Sequence, residues 1–520
     1  MATRQSRYST NLSPVPSSIR SSPAWTATLA LALCSANTTA QPPSTSNCGI
    51  VPAIASVPAN ARFFRRDPAA ADDAAAIQSS LDALRPGDWL VFPAGTYKVG
   101  RHLSVSSAGA TLIGNGATLH FTNAQDGALV VQADNVSIYN FTLLQDSTSR
   151  QTSPLSAGIA IYDGRNDGSR TVSGTVLQGN TLQHPAQAGI FVYNANGFTV
   201  AANSVWRSWA DGVHMTAGSR NGRVISNQVS QNGDDMIAVV SYAGTPGPQP
   251  AAARYANWAG LSNQLVQNIY IHGNQLSDQY LGRGISVCGG SNVTIDANRI
   301  SKVPDAAGIY LTRELAWMTF GDQNILVTGN TVTEIQTSPP GYKPPGVNVV
   351  LTGHGAIEIG STLYGDESSN PTYRSAFSVS GLQVVGNTVQ TTGFAGLRMG
   401  ASASNAGTAA NASASASATA ANLIPVPGPV SNIVVRDNTF TDVRARSVVQ
   451  SDSGLDVATV SCSNNTLNGT KFASQCSLAL RGSTTMTNTV ATGASLQCDA
   501  SGHIVQGAAP KPPTNLRSSY

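Results

Sequence analysis

The sequence predicts an all-β fold, a right-handed parallel β-helix closed at its N-terminal end by a short helix. Asparagine recurs between short apolar runs at Asn180, Asn203, Asn227, Asn274, Asn298, Asn330, Asn387, Asn438 and Asn465. The first steps are 23 and 24 residues, the next is 47, two turns' worth, and the one after returns to 24. Between the asparagines a glycine opens an alternation of apolar and variable residues, as at Gly189, Gly212, Gly284 and Gly308, and alternation reads as strand. Short strands at this period, separated by Gly, Asn, Asp and Ser, suit a coil that closes on itself and stacks in parallel on the next. Propeller blades need a longer period of about 40–50 residues. In such a coil Val, Ile and Leu face inward, and the asparagines stack in a turn and hydrogen-bond neighbouring backbone.

In chain order, residues 1–40 read as a signal peptide. Arg4, Arg7 and Arg20 precede an apolar stretch over 24–34, and a cut is expected after Ala40. The apolar run is too short to span a bilayer, so a secreted or periplasmic protein without a membrane anchor is expected. Residues 41–60 form a Pro-, Ser- and Ala-rich linker. Residues 72–84 offer an aspartate N-cap and place Ile77, Leu81 and Leu84 at helical spacing; such a helix can plug the first coil, whose core would otherwise be open. Strand and turn follow over 89–97. Residues 61–510 are expected to be one β-helix domain, interrupted by inserted loops at about 241–263 and 400–422, with a disordered tail over 511–520. The first insertion carries Trp258, a candidate for stacking on a sugar; long loops on a binding face are commonly functional. The second is almost entirely Ala, Ser, Asn and Thr.

The chain of 520 residues has a formal charge of +3, and 11% of its residues are charged. No basic run interleaves with aromatics, so a nucleic-acid partner is not expected, and the solenoid is expected to be monomeric. Export permits disulfides. The mature chain would keep Cys48, Cys288, Cys462, Cys476 and Cys498; a C-terminal staple such as Cys462 with Cys476 and a free thiol at Cys288 are expected. These cysteines lack metal-ligand spacing and a nearby histidine pair, so no metal site is expected.

Aligning coils on the glycine marker places Ala188, Asp211, Asp234, Arg283 and Ala307 in one ladder just before it, with Asp235 replacing the marker itself. Two positions after the marker come Phe191, His214, Ile237, Ser286 and Tyr310, and four after it Tyr193, Thr216, Val239, Cys288 and Thr312. Parallel strands lie about 4.8 Å apart, which makes Asp211, Asp234 and Arg283 neighbours. Like charges this close need a cation or a retained proton. Glycoside hydrolysis uses that arrangement, one carboxyl protonating the leaving oxygen and another activating water or attacking. His214, beside Asp211, is a candidate substrate-binding residue, as are Arg283, Tyr310, Arg313 and Tyr280; Glu314, His354 and Glu358 fall in the same region.

Ala210-Asp211-Gly212, Gly233-Asp234-Asp235 and Gly282-Arg283-Gly284 resemble the Asn-Thr-Asp, Asp-Asp and Gly-His-Gly motifs of family 28 glycoside hydrolases, the polygalacturonases. The helix segment from Asp72 and the segment 92–97 (Phe-Pro-Ala-Gly-Thr-Tyr) resemble the opening of the wider pectate-lyase-like β-helix superfamily, and the likeness spans residues 62–315. The resemblance implies Asp234 as general acid, with Asp211 and Asp235 activating water in an inverting hydrolysis of a polysaccharide, and no required cofactor. Arg283 stands where that family has histidine, and Tyr310, Leu311 and Thr312 stand where it grips the galacturonate carboxylate. Two alternatives remain. In a polysaccharide lyase or uronate epimerase, Arg283, His214 or Tyr310 would handle the proton beside the carboxylate and the aspartates would bind Ca²⁺. In a non-catalytic glycan-binding or adhesin-like solenoid the aspartates would do no chemistry.

Overall fold

The computed structural model describes residues 48–165, 169–244, 254–255, 264–400, 425–443, 449–451, 456–457, 460–468, 470–471, 496–498 and 504–505. The expected signal peptide, residues 41–47 of the linker, residues 401–422 of the second insertion and the tail lie outside the described residues, as do Trp258 and Cys476. Among the described residues no helix is long and apolar enough to cross a membrane.

Among the described residues, coils wind through three faces and stack into three long sheets of 16, 13 and 12 strands, in which coil pairs with coil in parallel; Pro425–Pro427 departs from this, pairing antiparallel with the end of Ile357–Tyr364. One coil shows the plan: Thr199–Ala201 lies on the first face, Ser204–Trp206 on the second and Val213–Thr216 on the third. Inward residues stack on their own kind from coil to coil, as in Val200, Val224, Ile271 and Ile295 on the first face and Val213, Ile237, Ile285, Ile309 and Ile357 on the third. They merge into one continuous apolar core running the length of the solenoid.

The asparagine series builds the turn between the first and second faces. Each amide from Asn180 to Asn438 donates its backbone N–H and its Nδ2 to the Oδ1 of the asparagine one coil on, at 2.9–3.1 Å. The same Nδ2 also reaches a backbone carbonyl, such as Val224 O from Asn274. This satisfies turn groups that burial would otherwise leave without partners. Two residues separate first-face from second-face strand in every coil from Ser137–Tyr139 onward, and in all but the first of these the second residue is one of these asparagines. Coil lengths vary at the two edges of the third face instead: segments 146–158 and 336–356 precede it, and 241–265 and 365–378 follow it.

The helix Ala74–Asp82 closes the first coil as expected, with Ile77 and Leu81 joining the core. Asp72 rather than its neighbour caps it, accepting from the Ala74 N–H at 2.6 Å, while Asp73 is turned to Arg66 and the Lys98 N–H. At the outer side of the first face Cys48 is joined to Cys498, and Arg223 holds the carbonyls of Cys48 and Ile50. One of the three late cysteines is therefore tied to the N-terminal segment. Cys462 is also disulfide-bonded, and Cys288 is a free, buried thiol.

Candidate active site

The turn from the second face to the third positions the acidic cluster. In successive coils it opens on a left-handed residue, Arg207, Gln231 and Asp278 with φ near 57°, and then runs to the start of the third face. Strand pairing sets Val213 opposite Ile237 and Ile237 opposite Ile285. Counting back two residues, Asp211, Asp235 and Arg283 share a register, and Met236 takes the place of the marker glycine. This corrects the alignment by one residue. Asp234 stands one place earlier, opposite Ala210 and Gly282, and the outward row is Phe191, His214, Ala238, Ser286, Tyr310, Glu358 and Arg398 rather than one through Ile237, which points inward. In the next row Val240, not Val239, pairs with Cys288. The cause is that this coil is 24 residues long, as the asparagine step records. Gly282 has φ +77°, and a Cβ there would come within 2.5 Å of the Asp234 backbone, so the turn behind the two aspartates requires glycine.

Carboxylate oxygens of Asp211, Asp234 and Asp235 all lie within 4.8 Å of one another. Their surroundings differ. Asp211 is buried and accepts from His214 Nδ1 at 3.1 Å; the Phe191 ring lies parallel to the imidazole, centroids 5.4 Å apart. Asp234 is the most open of the three, its side chain 27% exposed, and pairs with Arg150 Nη1 at 2.8 Å. Asp235 is buried and accepts the Arg283 backbone N–H at 2.8 Å, with the Arg283 guanidinium 3.5 Å away. That guanidinium has its shorter bond, 2.7 Å, to Glu314 and lies over the Tyr310 ring at 4.3 Å.

These partners separate the charge states. Burial acts against ionised Asp234, but Arg150, Arg283 and His214 outweigh it and hold the carboxyl below its usual range. For Asp235 burial dominates; Arg283 opposes it, the charges on Asp234 and Asp211 add to it, and the carboxyl is pushed up to about 7. Near neutral pH the cluster thus pairs an ionised Asp234 with an Asp235 that can carry a proton.

The other sequence candidates are placed as follows. His214 and Arg283 belong to the cluster, and Tyr310 lies fully buried beneath Arg283, its edge against His354. Tyr280 packs behind the turn, where its hydroxyl would crowd any side chain at Gly233. Arg313 does not reach the acidic cluster: it is fully buried at the end of its strand, bonded to Thr319 O, Thr362 O, the Tyr255 hydroxyl and Glu367. Burial drives the His354 imidazole down to about 3, with Arg283 and Arg398 adding to it. Sequence reasoning missed Arg150, which sits in a segment without the repeat markers.

A cation is a poor fit to these oxygens. Calcium takes six to eight oxygen ligands, whereas Asp234 and Asp235 already face two guanidinium groups. Chelation is expected to leave activity unchanged, which assays with and without EDTA and added Ca²⁺ would check.

A family model described as "Right handed beta helix region" matches residues 117–332. No curated protein sequence matches the chain. Among solved structures, the catalytic domain of a GH87 α-1,3-glucanase in complex with nigerose aligns with a TM-score of 0.52 at 14% identity, over 80% of this chain and 66% of that one. The chain thus spans just under two thirds of that domain. The Streptococcus pneumoniae surface protein and adhesin PfbA aligns at 0.46 and 14% identity, over 77% and 94% of the two chains. The A-module of the Azotobacter vinelandii mannuronan C-5 epimerase AlgE6 aligns at 0.41 and 14%, over 76% and 91%. By strand pairing, by the family model and by structural likeness, the chain is a right-handed parallel β-helix.

Proposed function

We propose that this protein is an exported, monomeric glycoside hydrolase that cleaves a neutral polysaccharide at the Asp211, Asp234 and Asp235 cluster. The observation that carries the reading is three carboxyl groups within 4.8 Å of one another in unlike settings, Asp234 paired with Arg150 at 2.8 Å and Asp235 buried and pushed up to about 7. Asp235 gives its proton to the glycosidic oxygen as the bond to the anomeric carbon breaks; a water attacks that carbon, and Asp211, oriented by His214, takes the water's proton. Asp234 stays charged and stabilises the positive charge that develops on the sugar ring. The acid in this reading is Asp235, in place of the Asp234 that the polygalacturonase resemblance implies. The solved α-1,3-glucanase domains include alanine variants of three aspartates, two adjacent and one earlier, with the same spacing as Asp211, Asp234 and Asp235, which supports the three as a group and not the role of any one of them.

Neutrality of the substrate follows from the charges around the cluster. Arg150 and Arg283 are both committed to protein carboxylates, Arg398 is paired with Glu358 at 2.6 Å, and Arg313 is buried. With Asp235 protonated, the carboxylates of Asp211, Asp234 and Glu314 still outnumber the two nearby guanidiniums, so a uronate would meet net repulsion.

The test is to incubate the mature chain with neutral glucans and with polygalacturonate, following reducing ends together with the ultraviolet absorbance of unsaturated uronates. New reducing ends from a neutral glucan alone are expected. Absorbance rising on an acidic glycan would replace hydrolysis with a lyase reaction. Because Asp235 must hold its proton, kcat/KM should fall as pH rises through about 7.

A further inference from the structure

The two adjacent aspartates have the same chemistry and lie in one turn, so something outside the turn must decide which of them remains a carboxylate. The segment 146–158, inserted before the third face, carries Arg150 to Asp234 at 2.8 Å. That segment is firmly held. The N–H of Gln151 donates to Ala186 O at 2.7 Å. Gln145 donates to the carbonyls of Gly127 and Ala157 and accepts from the Ala186 N–H. Ser153 caps the short helix Pro154–Ser156, and Leu155 packs on the outer apolar cluster of Ala128, Val130 and Ala160. The guanidinium on the other side is divided. Arg283 gives its shorter bond to Glu314, 2.7 Å against 3.5 Å to Asp235.

We infer that Arg150 is a positioning residue of the site: its ion pair makes Asp234 the permanent carboxylate and leaves proton donation to Asp235. The inference rests on the hydrolase reading for its consequence in catalysis, but the placement of the proton can be tested without substrate. Burial and the neighbouring charges of Asp234 and Asp211 raise Asp235, whereas Arg150 offsets the same burial for Asp234. Taking Arg150 away leaves Arg283 and His214 to oppose the burial of Asp234, which narrows the difference between the two carboxyls and couples their titrations.

The experiment compares wild type, Arg150→Ala and Arg150→Lys by infrared difference titration of the protonated-carboxyl band and by the pH profile of kcat/KM. In wild type a carboxyl band should be lost near neutral pH that is absent from Asp235→Asn and persists in Asp234→Asn, which separates it from any band of the buried Asp322. In Arg150→Ala a second carboxyl should titrate above its usual range. The acidic limb of the profile should then move up by about 1–3 pH units, the reach of an arginine on an adjacent aspartate, while Arg150→Lys restores most of the wild-type pattern. An unchanged titration in Arg150→Ala, or a uniform loss of rate with both limbs in place, would overturn the inference. If the titrations behave as expected but no glycan is hydrolysed, the hydrolase reading fails and the electrostatic role of Arg150 stands.

Discussion

Asp235→Asn is expected to lower kcat on the natural glycan by about 10²–10⁴-fold, the usual worth of a positioned general acid. The amide keeps an oxygen for the Arg283 N–H that Asp235 now accepts at 2.8 Å, so the turn should survive and the loss should be chemical. A glycoside whose leaving group needs no proton should be cleaved almost as well by the variant as by the wild type, and a panel of aryl glycosides of graded leaving ability measures this. Equal losses across the panel would remove Asp235 from the acid role. Stability gives a second readout. Its folded-state value of about 7 lies above the unfolded value of about 3.9, so the native state holds the extra proton. The stability this group contributes is full below about pH 4 and is lost as pH rises through about 7. Asp235→Asn should flatten that part of the pH–stability curve.

The second large effect is structural. Asn274→Ala removes an Oδ1 that accepts from Asn227 N and Nδ2, both at 2.9 Å, and an Nδ2 that donates to Val224 O and Asn298 Oδ1, also at 2.9 Å. The Asn227 N–H and the Val224 carbonyl are left buried without these partners, at about 1–3 kcal/mol each. A total loss of about 3–6 kcal/mol is expected, against roughly 0.5 kcal/mol or less for Gln275→Ala at the exposed neighbouring position. Neighbouring coils carry much of each coil's stability in a solenoid, so hydrogen exchange should show the opening centred on the coils of Val224 and Ile271 and weakening outward. Protection lost evenly along the whole chain, or a penalty no larger than that of Gln275→Ala, would contradict the ladder's role.

The fold was legible because the asparagines mark a single turn once per coil, a periodic signal that needs no tertiary knowledge. The capping helix was legible from Ile77 and Leu81 at helical spacing, and the free thiol from an odd set of mature cysteines. Proximity of Asp211, Asp234 and Asp235 followed from the same repeat. The alignment slipped by one residue at Asp235 because Met236 replaces the marker glycine, although the step of 24 from Asn203 to Asn227 carried the right count. Arg150 was beyond the repeat's reach, since its ion pair joins an insertion to a coil elsewhere in the chain. Arg313 was misplaced because alternation alone sends the end of a strand outward or inward, while here the strand end turns under Thr319 and Thr362. The pairing of Cys48 with Cys498 joins positions 450 residues apart, and no local spacing encodes it.

The constant two-residue corner between the first and second faces divides the protein into a part that cannot change length and a part that can. One residue added at that corner would pull an amide off its rung and turn the following strand's apolar side chains to solvent. A segment added before or after the third face disturbs neither, and that is where 146–158, 241–265, 336–356 and 365–378 are found. The scaffold therefore lets the segments beside the third face be exchanged as whole loops while the aspartates keep their places, so loops transplanted from other β-helices at these edges should leave the coil register and the acidic cluster intact.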